Sequence, residues 1–377
     1  MRCRLGPLLT ARFPFIILRL IPVAIVASVL APAPSLAQGT STANQAPADT
    51  PSIKVGVLIF ADYTVQQQPR VRDTDDNEVT LSAFQIGRSY INVTGNITRN
   101  ISFRLTPDVA REIAVGSSLN GSYTFRLKYA FAQWGFDSHM TQGSFARFGI
   151  QPTPWIEFID SVYRYRFQGQ TFEDREGFLS AADVGASFHY SLPRQYGDIN
   201  AAIFNGETYA RPEVNDQKSV QLRGTVRPLP SQTVLRGLRL TGFWDHDAYI
   251  RNADRRRAIV GVTFEHPHVH AGFNYLATKD QTSAGVTATD ARGWSAFVTP
   301  ITGRGWEGLL RFDRLEPDTQ VSARTKHRTI AGVAYWFAQR GTVATALLVD
   351  IDNLTFEGFA TSQPTQRKFA LHALVSF

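Results

Sequence analysis

Arg367-Lys368-Phe369-Ala370-Leu371-His372-Ala373-Leu374-Val375-Ser376-Phe377 is the last stretch of the chain, and its reading decides the fold. Side chains alternate across an extended strand, so Phe369, Leu371, Ala373, Val375 and Phe377 share one face. Lys368, Ala370, His372 and Ser376 share the other. A wholly apolar strand face ending on an aromatic residue invites edge aggregation in water. In a closed barrel set in lipid the same face meets hydrocarbon and the strand pairs with the first one. The competing reading is the last strand of a soluble β-domain, and the rest of the chain must choose.

The N-terminus has the order of an export signal. Arg2, Arg4, Arg12 and Arg19 make it basic, Leu20 to Leu30 is mainly apolar, and Ser35-Leu36-Ala37 offers small residues for cleavage. The apolar run is short of the ~20 residues a spanning helix needs. Cys3, the one cysteine of the sequence, lies inside this leader, so residues 38–377 hold no disulfide and no Cys-based metal site. The four leader arginines also carry part of the formal charge of +7, which falls to +3 without them. That balance does not point to nucleic acid. Residues 38–52 (Gln, Gly, Ser, Thr, Ala, Pro) read as a flexible linker. The expected division is therefore signal peptide 1–37, linker 38–52 and barrel 53–377.

From Ile53 onward, runs of about ten residues rich in Val, Ile, Phe, Tyr and Thr alternate with turn residues. Tyr123-Thr-Phe-Arg-Leu-Lys-Tyr-Ala-Phe-Ala-Gln133 is one, with apolar and charged side chains in alternation. Sixteen strands are expected: 53–66, 82–95, 100–107, 123–136, 144–152, 182–192, 198–206, 219–228, 235–248, 256–266, 268–278, 290–299, 305–315, 327–337, 342–354 and 366–377. No amphipathic helix is expected. Links alternate short (96–99, 194–197, 267, 301–304, 338–341) and long (67–81, 108–122, 153–181, 207–218, 279–289), the pattern of a transmembrane barrel with one short-turn rim. The fold class is all-β: a transmembrane antiparallel β-barrel of about 16 strands. Tyr129, Phe131, Trp134 and Phe136 are candidates for the aromatic girdle at the short-turn rim.

Sixteen strands enclose a lumen wide enough for water. Strand parity turns Arg88, Arg104, Arg126, Lys128, Arg147, Arg223, Arg227, Arg239, Arg257, Arg311, Arg328 and Lys368 inward. Fewer acids follow: Asp245, Glu265, Glu307 and Asp313. A basic wall in a confined channel favours anions through its summed field. The bland alternative is that these arginines hydrate the wall and pair with loop acids. The longest link, 153–181, is too long and aromatic to float free, and folding it into the lumen would narrow the channel. Arg164, Arg166 and Arg175 are its constriction candidates, because guanidinium grips carboxylate and phosphate bidentately. Glu157, Asp160, Glu173, Asp174 and Glu176 on the same link could equally satisfy them.

Enzyme signals are thin. Asp245-His246-Asp247 could hold a divalent cation but reads more simply as a hydrated strand end. His266, His268 and His270 lack a carboxylate partner for zinc. Ser187 and His189 share strand parity, yet no orienting acid is evident. The expectation is no catalysis, no metal and no cofactor.

The closing strand resembles that of bacterial outer-membrane β-barrels. Phe84-Gln-Ile-Gly-Arg-Ser-Tyr-Ile-Asn-Val-Thr-Gly-Asn-Ile-Thr98 and Ile101-Ser-Phe-Arg-Leu105 look like the second and third strands of the phosphate-selective porin O and P-like family. Arg147-Phe-Gly-Ile-Gln-Pro-Thr-Pro-Trp155 with Asp174-Arg-Glu-Gly-Phe178 resembles the way into and out of that family's long third loop. The likeness is strongest over 82–227. It implies a homotrimeric, anion-preferring pore for small hydrophilic or anionic solutes in the bacterial outer membrane. It also implies contact with outer-membrane lipid and with the barrel-assembly machinery through the strand ending in Phe377. Lysine is scarce in the strands, and inward acids interrupt the basic set, so phosphate specificity does not follow. A plugged barrel that binds a partner through its loops is the alternative function.

Overall fold

The computed structural model describes residues 50–112, 114–321, 323–337 and 343–377. The expected signal peptide and most of the linker lie outside the described residues. Sixteen strands appear among the described residues. They are β1 (Ser52–Arg72), β2 (Glu78–Asn96), β3 (Ile101–Arg111), β4 (Tyr123–Gly135), β5 (Phe145–Pro152), β6 (Ala182–Ser191), β7 (Gly197–Phe204) and β8 (Ser219–Val226). There follow β9 (Leu238–Ile250), β10 (Ala253–His266), β11 (Val269–Asp280), β12 (Thr289–Pro300), β13 (Trp306–Glu316), β14 (Thr325–Trp336), β15 (Ala344–Glu357) and β16 (Gln366–Ser376). Each pairs antiparallel with its neighbours in sequence, and β1 pairs with β16 to close the barrel. Closure leaves no free sheet edge, which satisfies every ladder hydrogen bond without water.

The last strand sits as its alternation requires. Leu371 and Phe369 are exposed on the outer wall, while His372 and Leu374 are buried inside opposite Asp62 and Phe60 of β1. Among the described residues no helix is long and apolar enough to cross a membrane; the strands make the wall.

Three features depart from the sequence reading. First, the supposed long link 67–81 is mostly strand: β1 and β2 run on to Arg72 and Glu78, leaving a five-residue tip. Second, link lengths do not alternate strictly, because β9 and β10 are joined by Arg251 and Asn252 alone. Asn252 takes the left-handed conformation (φ 66°) that so tight a turn needs. Third, the long link contains a helix, α1 (Pro154–Tyr163), and a single turn, α2 (Phe172–Arg175). Pro154 at the first helical position has no N–H to leave unsatisfied, and Trp155, Ile156, Phe158, Ile159, Val162 and Tyr163 recur at helical spacing. An apolar stripe normally marks a helix lying on a core, and here the core is inside the barrel.

Candidate functional site

The long link runs across the lumen from the end of β5 to the start of β6. Its apolar residues dock on an apolar half of the inner wall. Trp155 lies 6.0 Å from Phe243 of β9, Tyr163 5.2 Å from Phe297 of β12, Tyr165 6.2 Å from Trp336 of β14, and Phe167 6.3 Å from Phe60 of β1 (ring centroids). Ile259, Leu276, Leu309, Ile330 and Leu348 complete that seat. Trp155, Val162 and Tyr165 are fully buried. Each large apolar side chain so buried contributes about 1.5–3 kcal/mol.

Polar contacts lock the same interface. Arg164 reaches Glu307 at 3.4 Å, and the Tyr165 hydroxyl donates to the other Glu307 oxygen at 2.8 Å. Arg311 donates to Asp313 at 2.7 and 2.8 Å and to the Gln170 carbonyl at 2.8 Å. Arg257 donates to the Phe178 carbonyl at 3.0 Å and pairs with Asp280 at 2.7 Å. Arg175 reaches Asp352 at 3.2 Å, which Arg328 also holds at 2.7 Å, and Lys326 meets Glu176 at 3.0 Å. Burial, together with Arg311 and Arg328, pushes the Arg175 guanidinium down to about 10.

The opposite face of α1 is polar and looks at β2–β5. Glu157 and Asp160 keep 34% and 25% of their side-chain surface, and Arg88 and Arg126 across from them keep 27% and 37%. That residual exposure marks a water-filled gap between loop and wall. Asp108 of β3 accepts from both Arg88 (2.5 Å) and Arg126 (3.1 Å). Arg147 is clamped by Glu157 at 3.0 Å. Arg166 pairs with Asp160 at 3.2 Å and Asp174 at 2.6 Å. Burial raises the Asp160 carboxyl, and Arg166 opposes that rise. Two cations at the gap have no ion pair among the described residues. Arg104 bonds Asn92 and Thr106 and lies 4.5 Å from the Tyr129 ring, and Lys128 donates to the Tyr90 hydroxyl at 2.9 Å.

A β-bulge builds this corner. Between Thr106 and Pro107 of β3 the register slips by one, so Lys128 is the extra residue of β4. Beyond it the parity of β4 inverts. Tyr129 and Phe131 thus lie opposite the inward residues Thr106 and Arg104, whereas Trp134 is exposed on the outside. Tyr129 and Phe131, only candidates for the girdle in the sequence, are lumen residues, since simple alternation fails across a bulge.

Except for Arg227, the basic residues singled out from the strands occupy inward register positions, but not all of them border the gap. Arg88, Arg104 and Arg126 border the gap, with Lys128 and Arg147 buried at its edge. Arg223 is paired with Asp198 beneath Phe158, and Arg311 is 1% exposed beneath Tyr163; both are walled in by the loop. Arg239 is paired with Glu265, and Arg227 lies past the end of β8. Of the constriction candidates, Arg166 is satisfied by the loop acids Asp160 and Asp174, the alternative the sequence left open, while Arg164 and Arg175 are engaged by the wall acids Glu307 and Asp352. The inward acids are also more numerous than parity counting found. Asp62, Asp108, Asp183, Asp198, Asp247, Asp280, Asp350 and Asp352 join the four expected ones. Most of the inward arginines face an acid on a neighbouring strand, and a pass for basic residues alone misses that pairing.

The other motifs dissolve. His246 is on the outer wall, stacked on Trp244, while Asp245 and Asp247 point in. Ser187 donates to Gln151 at 2.5 Å rather than to a histidine, and His189 stacks on Phe145.

Solved structures share this architecture. The fold is that of outer-membrane porins. An anion-selective porin from Comamonas acidovorans aligns with a TM-score of 0.60 at 10% identity, over 87% of this chain and 100% of that one. A loop L8 deletion mutant of OmpT, an outer-membrane protein of Vibrio cholerae, aligns at 0.59 and 13%, with the same coverage. The outer-membrane channel DcaP of Acinetobacter baumannii aligns at 0.56 and 9%, over 88% and 100%. No family model and no curated protein matches the chain. At such identities the likeness is one of fold.

Proposed function

We propose that the chain is an outer-membrane porin: a water-filled channel through which small hydrophilic solutes diffuse, with a mild preference for anions. The observation that carries this reading is the amphipathic α1. Its apolar side is fixed to one half of the lumen, and its charged side faces a solvated gap lined by Arg88, Arg104 and Arg126, with Lys128 and Arg147 buried at its edge. A plug would bury both faces. The preference rests on Arg104 and Lys128, the two gap cations held by neutral partners, in a field otherwise balanced by Asp108, Glu157 and Asp160. Phosphate and small carboxylates are the solutes of that class. The reading includes export through the N-terminal leader, no covalent chemistry, and a homotrimer; one of the similar structures, OmpT of Vibrio cholerae, is described as a trimer form.

Single-channel conductance of refolded protein in planar bilayers, under a salt gradient, tests the proposal. Discrete steps with a reversal potential on the anion side are expected. A folded barrel without steps would move the reading to the plugged alternative, which the extent of the loop's apolar seat favours.

A further inference from the structure

Antiparallel order puts every second link of the barrel on the same rim. The links after β2, β4, β6, β8, β10, β12 and β14 therefore share one rim with the start of β1 and the end of β16. Among the described residues these links carry five arginines and no lysine, against one carboxylate, Asp137. Asp137 is committed to its own turn, where it accepts the Gly143 N–H at 2.7 Å. The opposite rim has the reverse balance. Outside the lumen, the described residues of its links hold eight carboxylates and four basic groups. Two of those four are paired there, Lys218 with Glu213 and Arg251 with Asp216.

The basic rim is not neutralised from within. Arg99, Arg194, Arg236 and Arg304 are exposed and make no ion pair among the described residues, and Arg227 is half-buried. Between them the same rim exposes Ile97, Trp134, Tyr196, Leu235 and Trp306. Apolar tips interleaved with cationic heads are what anchors a protein at a membrane surface. The four exposed arginines come from four different links, spread round the barrel from β2 to β13, so they form a collar and not a patch. A lipid leaflet encircles a barrel and meets such a collar as a whole; a docked protein covers one arc of it. Guanidinium also matches two oxygens of a phosphate at once, which an ammonium does not.

We propose that the short-turn rim is an arginine collar that binds the headgroups of anionic phospholipid in the leaflet it meets. Its ligand is the headgroup phosphate, held at Arg99, Arg194, Arg236 and Arg304 while the acyl chains lie against the apolar tips. The inference rests on the outer-membrane reading but not on conduction.

The test uses the full chain refolded in neutral detergent, freed of lipid and offered phosphatidylglycerol or phosphatidylcholine at equal concentration. Native mass spectrometry counts the lipids retained. One arginine at an anionic surface multiplies binding by roughly fivefold, so phosphatidylglycerol should be retained in excess by at least that factor. The excess should shrink as salt rises. Arg99→Ser/Arg194→Ser/Arg236→Ser/Arg304→Ser should remove it, and each single substitution should lower it, which covers the case of a quadruple variant that does not fold. Arg211→Ser/Arg251→Ser, on the opposite rim, should leave it unchanged. Inorganic phosphate should not displace the lipid, because the apolar tips hold acyl chains. Equal retention of the two lipids by wild type overturns the proposal without any variant. So does an excess that survives the substitutions or is lost with the opposite-rim variant. Displacement by inorganic phosphate overturns it in favour of a free-anion site. A lipid excess on a barrel that gives no current steps would defeat the porin reading and leave this one standing.

Discussion

Glu173 should make the seating of the loop pH-dependent. It is fully buried in α2, inside the barrel, where one carboxyl oxygen accepts from the neutral amide of Asn274 at 2.5 Å. Burial pushes its carboxyl up to about 7, against the pull of its own backbone amide, the Trp155 indole and Arg311. With the loop lifted into water the same carboxyl returns to its ordinary value of 4.5. Below pH 4.5 both states hold the proton and the seat is at full strength. Between 4.5 and 7 the lifted loop releases its proton while the seated one keeps it, so the seat weakens as pH rises. Above 7 both are ionised and the loss is complete. The difference between the two values, at about 1.4 kcal/mol per pH unit, is about 3 kcal/mol. That is roughly a three-hundredfold change in the lifted population.

Hydrogen exchange of the α1 and α2 amides from pH 4 to 8, corrected for intrinsic rates, reads that population directly. Wild type should lose protection across this window. Glu173→Gln keeps an acceptor for Asn274 and removes the titration, so its protection should stay flat and exceed wild type at pH 8. Parallel pH slopes in the two proteins would refute the reasoning, because they would place the titrating group elsewhere. Equal, flat protection would refute the burial of an ionisable Glu173.

Further outcomes follow from the same contacts. Arg104→Ser with Lys128→Met removes the two gap cations that lack an ion pair, and should move the reversal potential toward zero with an anion preference lower by roughly twofold or more. Glu307→Leu leaves Arg164 and the Tyr165 hydroxyl without their buried partner and should cost about 3–5 kcal/mol of loop or barrel stability, read by thermal unfolding. In Gly293→Ala the new Cβ would meet the Phe172 ring and the Arg314 carbonyl, each at 2.6 Å, so α2 should shift and stability fall by about 1–3 kcal/mol. Removing residues 154–180 should raise single-channel conductance several-fold while leaving a heat-resistant barrel.

The barrel was legible because its signal is repeated in every strand. Val, Leu and Phe alternate with polar residues along β16, β8 and β4 alike, and one misjudged boundary changes little. The loop's helix was less legible. Its apolar and aromatic content points to lumen burial, but its 3.6-residue spacing is masked because every neighbouring segment is extended. The inner wall misled for a different reason. Phe243, Ile259, Leu276, Phe297 and Ile330 point inward and are apolar, so in β9 to β14 hydrophobicity does not separate lipid from lumen. The bulge at Lys128 was invisible: it arises from pairing between β3 and β4, beside a proline that cannot donate to the ladder.

Inward parity therefore is not the same as lining the pore, and the arginines show why. On β2–β5, Arg88, Arg104 and Arg126 meet the polar side of α1 and keep some contact with water, while Lys128 and Arg147 beside them are buried. One on β8, β10 or β13 meets the apolar side, where Arg223, Arg257 and Arg311 lie under Phe158, Phe178 and Tyr163. In that dry seam a lone guanidinium would be unstable, so each has its own carboxylate: Asp198, Asp280 and Asp313. The acids that interrupt the basic set are what allow half of it to serve as anchors. On the proposed reading, selectivity would reside on the β2–β5 side and would depend on Arg104 and the buried Lys128. Their charge is held by Asn92, Thr106 and tyrosine rather than by a carboxylate. Reversing that balance, by Asn92→Asp beside Arg104, should abolish the anion preference without moving the loop. A loop shift with unchanged selectivity would show that the field of the whole wall, and not these two groups, sets the preference.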